Sequence, residues 1–355
     1  MNPRIRYLNS LTANEANLSE KFLSLDSEEN ERTRDGISAG SQSEWSLERA
    51  LDESTRNRYR DVLPWDRNRV RLQVGDDGSD YINASPIVLQ ALGLKPRMYI
   101  ASQGPTKSTI PHFWHMITHE TKDPAVVVML TPTHEGHREK CAQYWPDRHN
   151  NYADAGFACR VTLESKEYHQ DANCVVRKFR LDEYSQDNSK QAKKSKTVYH
   201  LFFDSWGDFG TPIASQERNL VSMCNLANQL NTAENSPLVV HCSAGVGRTG
   251  TFITIDFLLN CITHGSSDAL LDGANVEGAS NAGANVEGAS NATEYIVRSA
   301  SLLYRGSIAD PENKDDPIFE TIWNLRKQRM LMVQNVSQFI FIYKIIKLAL
   351  ASGPE

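Results

Sequence analysis

His241-Cys242-Ser243-Ala244-Gly245-Val246-Gly247-Arg248-Thr249-Gly250 joins two apolar runs, Leu238-Val239-Val240 before it and Thr251-Phe252-Ile253-Thr254-Ile255-Asp256-Phe257-Leu258-Leu259 after it. The first run reads as a buried strand and the second as a helix. The residues between them are small, so consecutive backbone N–H groups can turn inward and form an anion nest. Arg248 opens the helix, where the positive end of the helix dipole adds to its own charge. Its guanidinium can grip two phosphate oxygens at once, which a lysine cannot do. The same field favours a thiolate at Cys242, because cationic neighbours and helix N-termini lower cysteine pKa values. Thr249 can donate a hydroxyl hydrogen bond to that sulfur, and His241 can brace the loop backbone. The stretch is built to hold a phosphate over a reactive sulfur.

Working outward, the chain alternates strand-like and helix-like segments. Met98 to Ala101, Val175 to Leu181 and Val198 to Phe203 read as strands, and Ala125 to Leu130 as a fully buried one. Ile110, Phe113, Trp114 and Ile117 fall on one helix face, and Phe339 to Leu350 reads as a C-terminal helix. The pattern predicts an α/β (α+β) fold, a highly twisted mixed β-sheet flanked by α-helices. Residues 1–50 are polar. Leu18, Phe22 and Leu25 predict a short docking helix there, and Gly36 to Ser43 a mobile loop. A catalytic domain is expected over 51–351. Gly273 to Ala282 is repeated letter for letter at 283–292, within a predicted flexible insertion at about 264–315. Two copies are too few for a stacked repeat fold.

Composition removes several function classes. With 355 residues and 40% hydrophobic content the chain can bury a large core, and a net charge of -6 argues against nucleic-acid binding. No run of apolar residues is long enough to span a bilayer, and no apolar signal core follows the N-terminus. Six scattered cysteines without a CxxC pair predict a reducing compartment, hence a cytoplasmic protein, with the nucleus also open to it. His115 and His119 have the spacing of helical metal ligands, but core histidines are the expected reading. Lys190, Lys193, Lys194 and Lys196 predict a solvated turn.

Further motifs, in order, carry a resemblance. Arg56-Asn57-Arg58-Tyr59-Arg60-Asp61-Val62 is followed by Asp80-Tyr81-Ile82-Asn83-Ala84-Ser85, then by Tyr99-Ile100-Ala101-Ser102-Gln103-Gly104-Pro105, with Phe113-Trp114 on the next helix. Lys140-Cys141-Ala142-Gln143-Tyr144-Trp145-Pro146, Trp206-Gly207-Asp208-Phe209-Gly210-Thr211-Pro212 and Val333-Gln334-Asn335-Val336-Ser337-Gln338-Phe339 complete the series. With the cysteine loop, the set resembles the protein tyrosine phosphatases, in particular single-domain, non-receptor, fungal members.

The resemblance implies hydrolysis of phosphotyrosine through a cysteinyl-phosphate, without metal or other cofactor. Cys242 is the implied nucleophile. Arg248 and the amides of Ser243, Ala244, Gly245, Val246 and Gly247 are the implied phosphate cradle. Asp208 is the implied acid and base, with Trp206 and Phe209 beside it. Gln334, assisted by Gln338, is implied to position the water. Glu135 would orient Arg248, and Lys140 would lie near the acid loop. Tyr59 is the implied wall of the pocket, deep enough to exclude phosphoserine. Asp61 would accept substrate amides, and Arg60 would favour acidic flanking residues. The implied partners are tyrosine-phosphorylated proteins, protein kinases among them, met by a monomer in intracellular signalling. The rival reading is an inactive domain that binds phosphotyrosine without turnover.

Two positions depart from the family pattern. Gly207 stands where proline is usual, which loosens the backbone beside Asp208. Leu331 stands where some members carry a glycine that opens a second phosphotyrosine pocket lined by arginines. Arg326 and Arg329 match positions near that pocket, and leucine is expected to narrow its entrance.

Overall fold

The computed structural model describes residues 9, 10, 12, 15–75, 78–91, 94–154, 156–184, 191–207, 210–264 and 316–352. Ten strands are described: β1 (Ala84–Leu89), β2 (Arg97–Ser102), β3 (Ala125–Met129), β4 (His134–Glu135), β5 (Arg138–Glu139), β6 (His149–Asp154), β7 (Phe157–His169), β8 (Cys174–Tyr184), β9 (Ala192–Phe202) and β10 (Leu238–His241). The α-helices used below are α1 (Glu15–Ala39), α2 (Glu48–Asp52), α3 (Ile110–Glu120), α4 (Glu217–Leu230), α5 (Gly247–His264), α6 (Pro317–Gln328) and α7 (Val336–Ser352).

Eight strands form one mixed sheet in the order β1-β2-β10-β3-β9-β8-β7-β6, and β4 and β5 form a separate hairpin. The strands from β2 to β9 pair in parallel, while β1 and β6 to β8 pair antiparallel. Parallel strands at the centre are covered on both faces, which is why β3 reads as unbroken apolar sequence. Its alternate side chains separate cleanly. Val126, Val128 and Leu130 face one core with α4 to α7, while Ala125, Val127 and Met129 face the other with Phe113, Trp114 and Ile117 of α3. Strands β2, β10 and β3 run parallel side by side, so their C-terminal ends share one edge. That edge carries the cysteine loop, as expected for ligand sites in such sheets.

The N-terminal region departs from expectation. The predicted short helix is a 25-residue helix that runs to Ala39, into the Gly36–Ser43 stretch, and a 3-10 turn over Gly40–Gln42 follows it. Leu18, Phe22, Leu25, Glu29 and Arg32 are all buried along one face. The Phe22 ring lies 5.9 Å from Phe339 of α7. Lys21 donates at 2.6 Å to Asp316, whose other oxygen caps the first amides of α6. The arm is therefore continuous with the body of the fold.

The lysine run is also corrected. Lys193 and Lys194 are exposed on β9, but Lys196 is buried, and its ammonium donates to the carbonyls of Ile117, Thr118 and Thr121 at the end of α3. Lys190 and the duplicated insertion from 265 to 315 lie outside the described residues. His115 stacks on Phe157 with centroids 4.4 Å apart, as a core histidine does.

Candidate active site

The cysteine loop leaves β10 at His241 and enters α5 at Gly247. His241 is fully buried, and burial pushes its pKa down to about 4, so the ring is neutral. Its Nδ1–H donates to the Cys242 carbonyl at 3.1 Å, which leaves Nε2 to accept the Tyr144 hydroxyl at 2.8 Å. The ring thus ties the loop to the motif around Lys140. Gly245 has φ +75, and a Cβ there would come within 2.1 Å of the Ser102 carbonyl. Glycine is required on both counts. Its N–H points at the Cys242 sulfur from 3.3 Å.

Cys242 is 3% exposed. Burial alone would raise its pKa, but the Arg248 charge, the Thr249 hydroxyl and the amides of Thr249 and Gly245 outweigh it, and the thiol pKa falls below its ordinary value. The Thr249 hydroxyl makes no hydrogen bond of ordinary geometry, yet it sits near enough to the sulfur to favour the thiolate. The contrast with Cys141 isolates the cause. That thiol is similarly buried, lacks these donors, and is pushed far up.

Arg248 is buried, and its Nη1 donates to Glu135 Oε1 at 3.0 Å and to the Trp206 carbonyl at 2.7 Å. Glu135 lies on the β4–β5 hairpin and places its other oxygen 3.6 Å from Lys140 Nζ. Trp206 is itself fixed, its indole N–H donating to the Gly210 carbonyl at 2.9 Å. Asp208 and Phe209 lie outside the described residues.

A cleft of about 460 Å³ opens over the sulfur, lined by Tyr59, Asp61, Ser243, Ala244, Gly247, Arg248, Gln334 and Gln338, with Arg58, Arg138, Glu139 and Lys140 at its side. The Tyr59 hydroxyl bonds Ser243 Oγ at 2.8 Å, so the ring stands upright beside the loop. Val246 is buried beneath it. Arg60 is exposed and is not part of the cleft wall. The N–H of Gln334 donates to Gln338 Oε1 at 3.0 Å. Both glutamines face Gly247, where a Cβ would lie 3.1 Å from their side-chain atoms. At Gly250 the helix meets the glutamine loop directly: a Cβ there would sit 2.4 Å from the Val333 nitrogen.

Three arginines take structural places that the sequence does not display. Arg329 does not line a second pocket. It is buried and donates to the carbonyls of Gly245 and Ala244 and to Asn83 Oδ1, gripping the cysteine loop from behind. Arg326 is also buried and serves Asp26 and the carbonyls of Met332 and Val333. Arg58 braces the wall that carries Tyr59, donating to the carbonyls of Gly104, Pro105 and Glu139. Its signal was its place inside the tyrosine motif.

A thiol of lowered pKa, inward amides and a buried arginine define a thiol-dependent phosphate site. Comparison with known proteins agrees. The family model described as protein-tyrosine phosphatase matches residues 53–276 and 286–347. Tyrosine-protein phosphatase 1 of Saccharomyces cerevisiae is 34% identical over 352 residues, covering 92% of this chain and 92% of that protein. Tyrosine-protein phosphatase 2 of Schizosaccharomyces pombe is 32% identical over 337 residues, covering 94% of this chain but 39% of that protein. A solved structure of PTPN18, described as the basis of its fingerprint on distinct HER2 tyrosine phosphorylation sites, superposes with a TM-score of 0.66 at 25% identity and covers 97% of both chains. The chain belongs to the protein-tyrosine phosphatase family. It is a hydrolase that dephosphorylates phosphotyrosine. No helix among the described residues is long and apolar enough to cross a membrane.

Proposed function

We propose that Cys242, Arg248, Asp208 and Gln334 carry the reaction in two displacements. In the first, the Cys242 thiolate attacks phosphorus, an S–P bond forms, and the bond to the tyrosine oxygen breaks as Asp208 gives that oxygen a proton. Arg248 and the loop amides hold the equatorial oxygens throughout. In the second, a water oriented by Gln334 and Gln338 attacks phosphorus and gives its proton to Asp208. The S–P bond then breaks, and thiolate and inorganic phosphate are released. Tyr59 stacks on the substrate ring and sets the depth that phosphoserine cannot span. Asp61 accepts substrate amides, and Arg60 reads acidic flanking residues.

The observation that carries this reading is the lowered Cys242 pKa beneath a cleft walled by Tyr59. The substrates are tyrosine-phosphorylated proteins, protein kinases among them, met by a monomer in the cytoplasm and nucleus. The working unit is 51–351, with residues 1–50 as an arm and the insertion at about 264–315 as an excursion from it. PTPN18, whose structure concerns HER2 tyrosine phosphorylation sites, supports the choice of substrate class. Gly207 alone favours the rival, a phosphotyrosine-binding module without turnover.

One assay separates the readings. Phosphate release is measured from phosphotyrosine peptide, phosphothreonine peptide and phosphoinositide, with Cys242→Ser as control. Turnover of the first alone, lost in the variant, blocked by orthovanadate and indifferent to EDTA, is the expected result. Tight binding without turnover favours the module, and loss of activity in EDTA refutes a metal-free thiolate mechanism.

A further inference from the structure

Helix α1 reaches the loop that carries Gln334, from outside the span matched by the family model. Glu29 Oε1 accepts the Leu331 N–H at 2.5 Å. One turn earlier, Asp26 Oδ1 accepts Arg326 Nη1 at 2.7 Å. The other nitrogens of Arg326 donate to the carbonyls of Met332 at 3.0 Å and Val333 at 2.9 Å. Three consecutive residues are thus held by α1, directly or through one side chain.

Those residues need holding. Leu331 has φ 59 and Val333 φ 62. The left-handed region is uncommon for residues other than glycine and an outlier for a β-branched one. Such conformations persist only where their surroundings over-determine them. Gln334 follows immediately, and its side chain lines the cleft above Cys242.

We infer that Glu29 is a positioning residue for the second displacement: by fixing the Leu331–Val333 turn from α1, it aims Gln334 at the water that hydrolyses the cysteinyl-phosphate. This rests on the proposed role of Gln334. The acceptor oxygen matters more than the charge. Glu29 is 3% exposed, and burial pushes its carboxyl up to about 7 against the pull of Arg326 and Arg32. Glutamine at 29 keeps the acceptor and should serve nearly as well.

The test follows labelled phosphate from a phosphotyrosine peptide in acid-quenched reactions of the full chain. The fraction of enzyme trapped as phosphocysteine at steady state compares the two displacements directly. Glu29→Leu should lower kcat roughly tenfold, the effect of one lost buried hydrogen bond, and raise the trapped fraction. Glu29→Gln should stay within about twofold of the parent. Adding Leu331→Gly to Glu29→Leu should restore kcat, because glycine takes the left-handed conformation without support. If Glu29→Leu does not fold, Asp26→Asn should show the same rise in trapped fraction on a smaller scale.

A trapped fraction that falls or stays level, or no rescue by glycine, overturns the inference. Gln334→Ala separates the two claims. If that variant leaves the trapped fraction unchanged, the role given to Gln334 is wrong. If it raises the fraction and neither Glu29→Leu nor Asp26→Asn does, only the role given to Glu29 is wrong.

Discussion

Arg248 and Trp206 are joined by a 2.7 Å hydrogen bond from guanidinium Nη1 to carbonyl oxygen. The group proposed to grip phosphate is therefore also the group that fixes the backbone two residues before Asp208. Glu135, 3.0 Å from the same nitrogen, holds the guanidinium in that double role. A lysine cannot reproduce it, since a single ammonium on a flexible stem offers no planar fork. Arg248→Lys should lower kcat by about 10²-fold or more, the scale of losing a preorganised donor to a transition state. Glu135→Ala should lower kcat in the same direction but less. Steady-state kinetics on a phosphotyrosine peptide check both, and a fully active Arg248→Lys enzyme would refute the double role.

The pH dependence of thiol reactivity follows from the lowered Cys242 pKa. The reactive form is the thiolate, so alkylation speeds up as pH rises through the pKa and is flat above it. Iodoacetate inactivation should have its midpoint below the ordinary thiol pKa. Thr249→Val removes a hydroxyl that favours the thiolate and should move the midpoint upward. A midpoint at or above that of a free cysteine would contradict the electrostatic account of the loop.

At Gly207 a Cβ would meet nothing within 4 Å. Proline there narrows the backbone states beside Asp208, and its Cβ would enter open space. Where native geometry accepts it, such a change is worth about 0.4–1 kcal/mol, so Gly207→Pro should raise kcat about two- to fivefold with little change in KM. If kcat is flat or falls, the looseness assigned to Gly207 does not limit the rate.

Leu331 should close the route to a second phosphate more firmly than its size implies. Its N–H is committed to Glu29, and Arg326 behind it is buried against Asp26 and two carbonyls. Neither Arg326 nor Arg329 is spare for another phosphate, and the helix that covers the turn brings Asp26 and Glu29 to it. Peptides with one and with two adjacent phosphotyrosines should give equal kcat/KM. A large gain for the second would show an arginine released from these bonds.

The strands and helices that bury apolar residues were legible from periodicity, and the cradle was legible from one loop. Glu135 is legible only through the family resemblance, not by any local pattern. The length of α1 was not legible, and the reason is physical. Its buried face continues from Leu25 into Glu29 and Arg32, so the apolar period stops while the burial does not. Glu29 is tolerated because Arg326 of α6 and the Leu331 N–H face it, and Arg32 pairs with Glu28 and lies over the Trp45 ring, which a linear pattern does not display. The same holds for Arg329, whose partners are carbonyls of the cysteine loop, more than 80 residues away in sequence.

The contact at Gly250 has a consequence for how the two displacements relate. With 2.4 Å between a would-be Cβ and the Val333 nitrogen, the first turn of α5 rests on the backbone that presents Gln334. Cys242, the proposed nucleophile, and Gln334, proposed to direct the water, are thus carried by backbone segments in direct contact, with no room for a side chain between them. That contact links the helix start to the turn whose left-handed residues α1 holds. A change on either side of that contact should therefore be felt on the other.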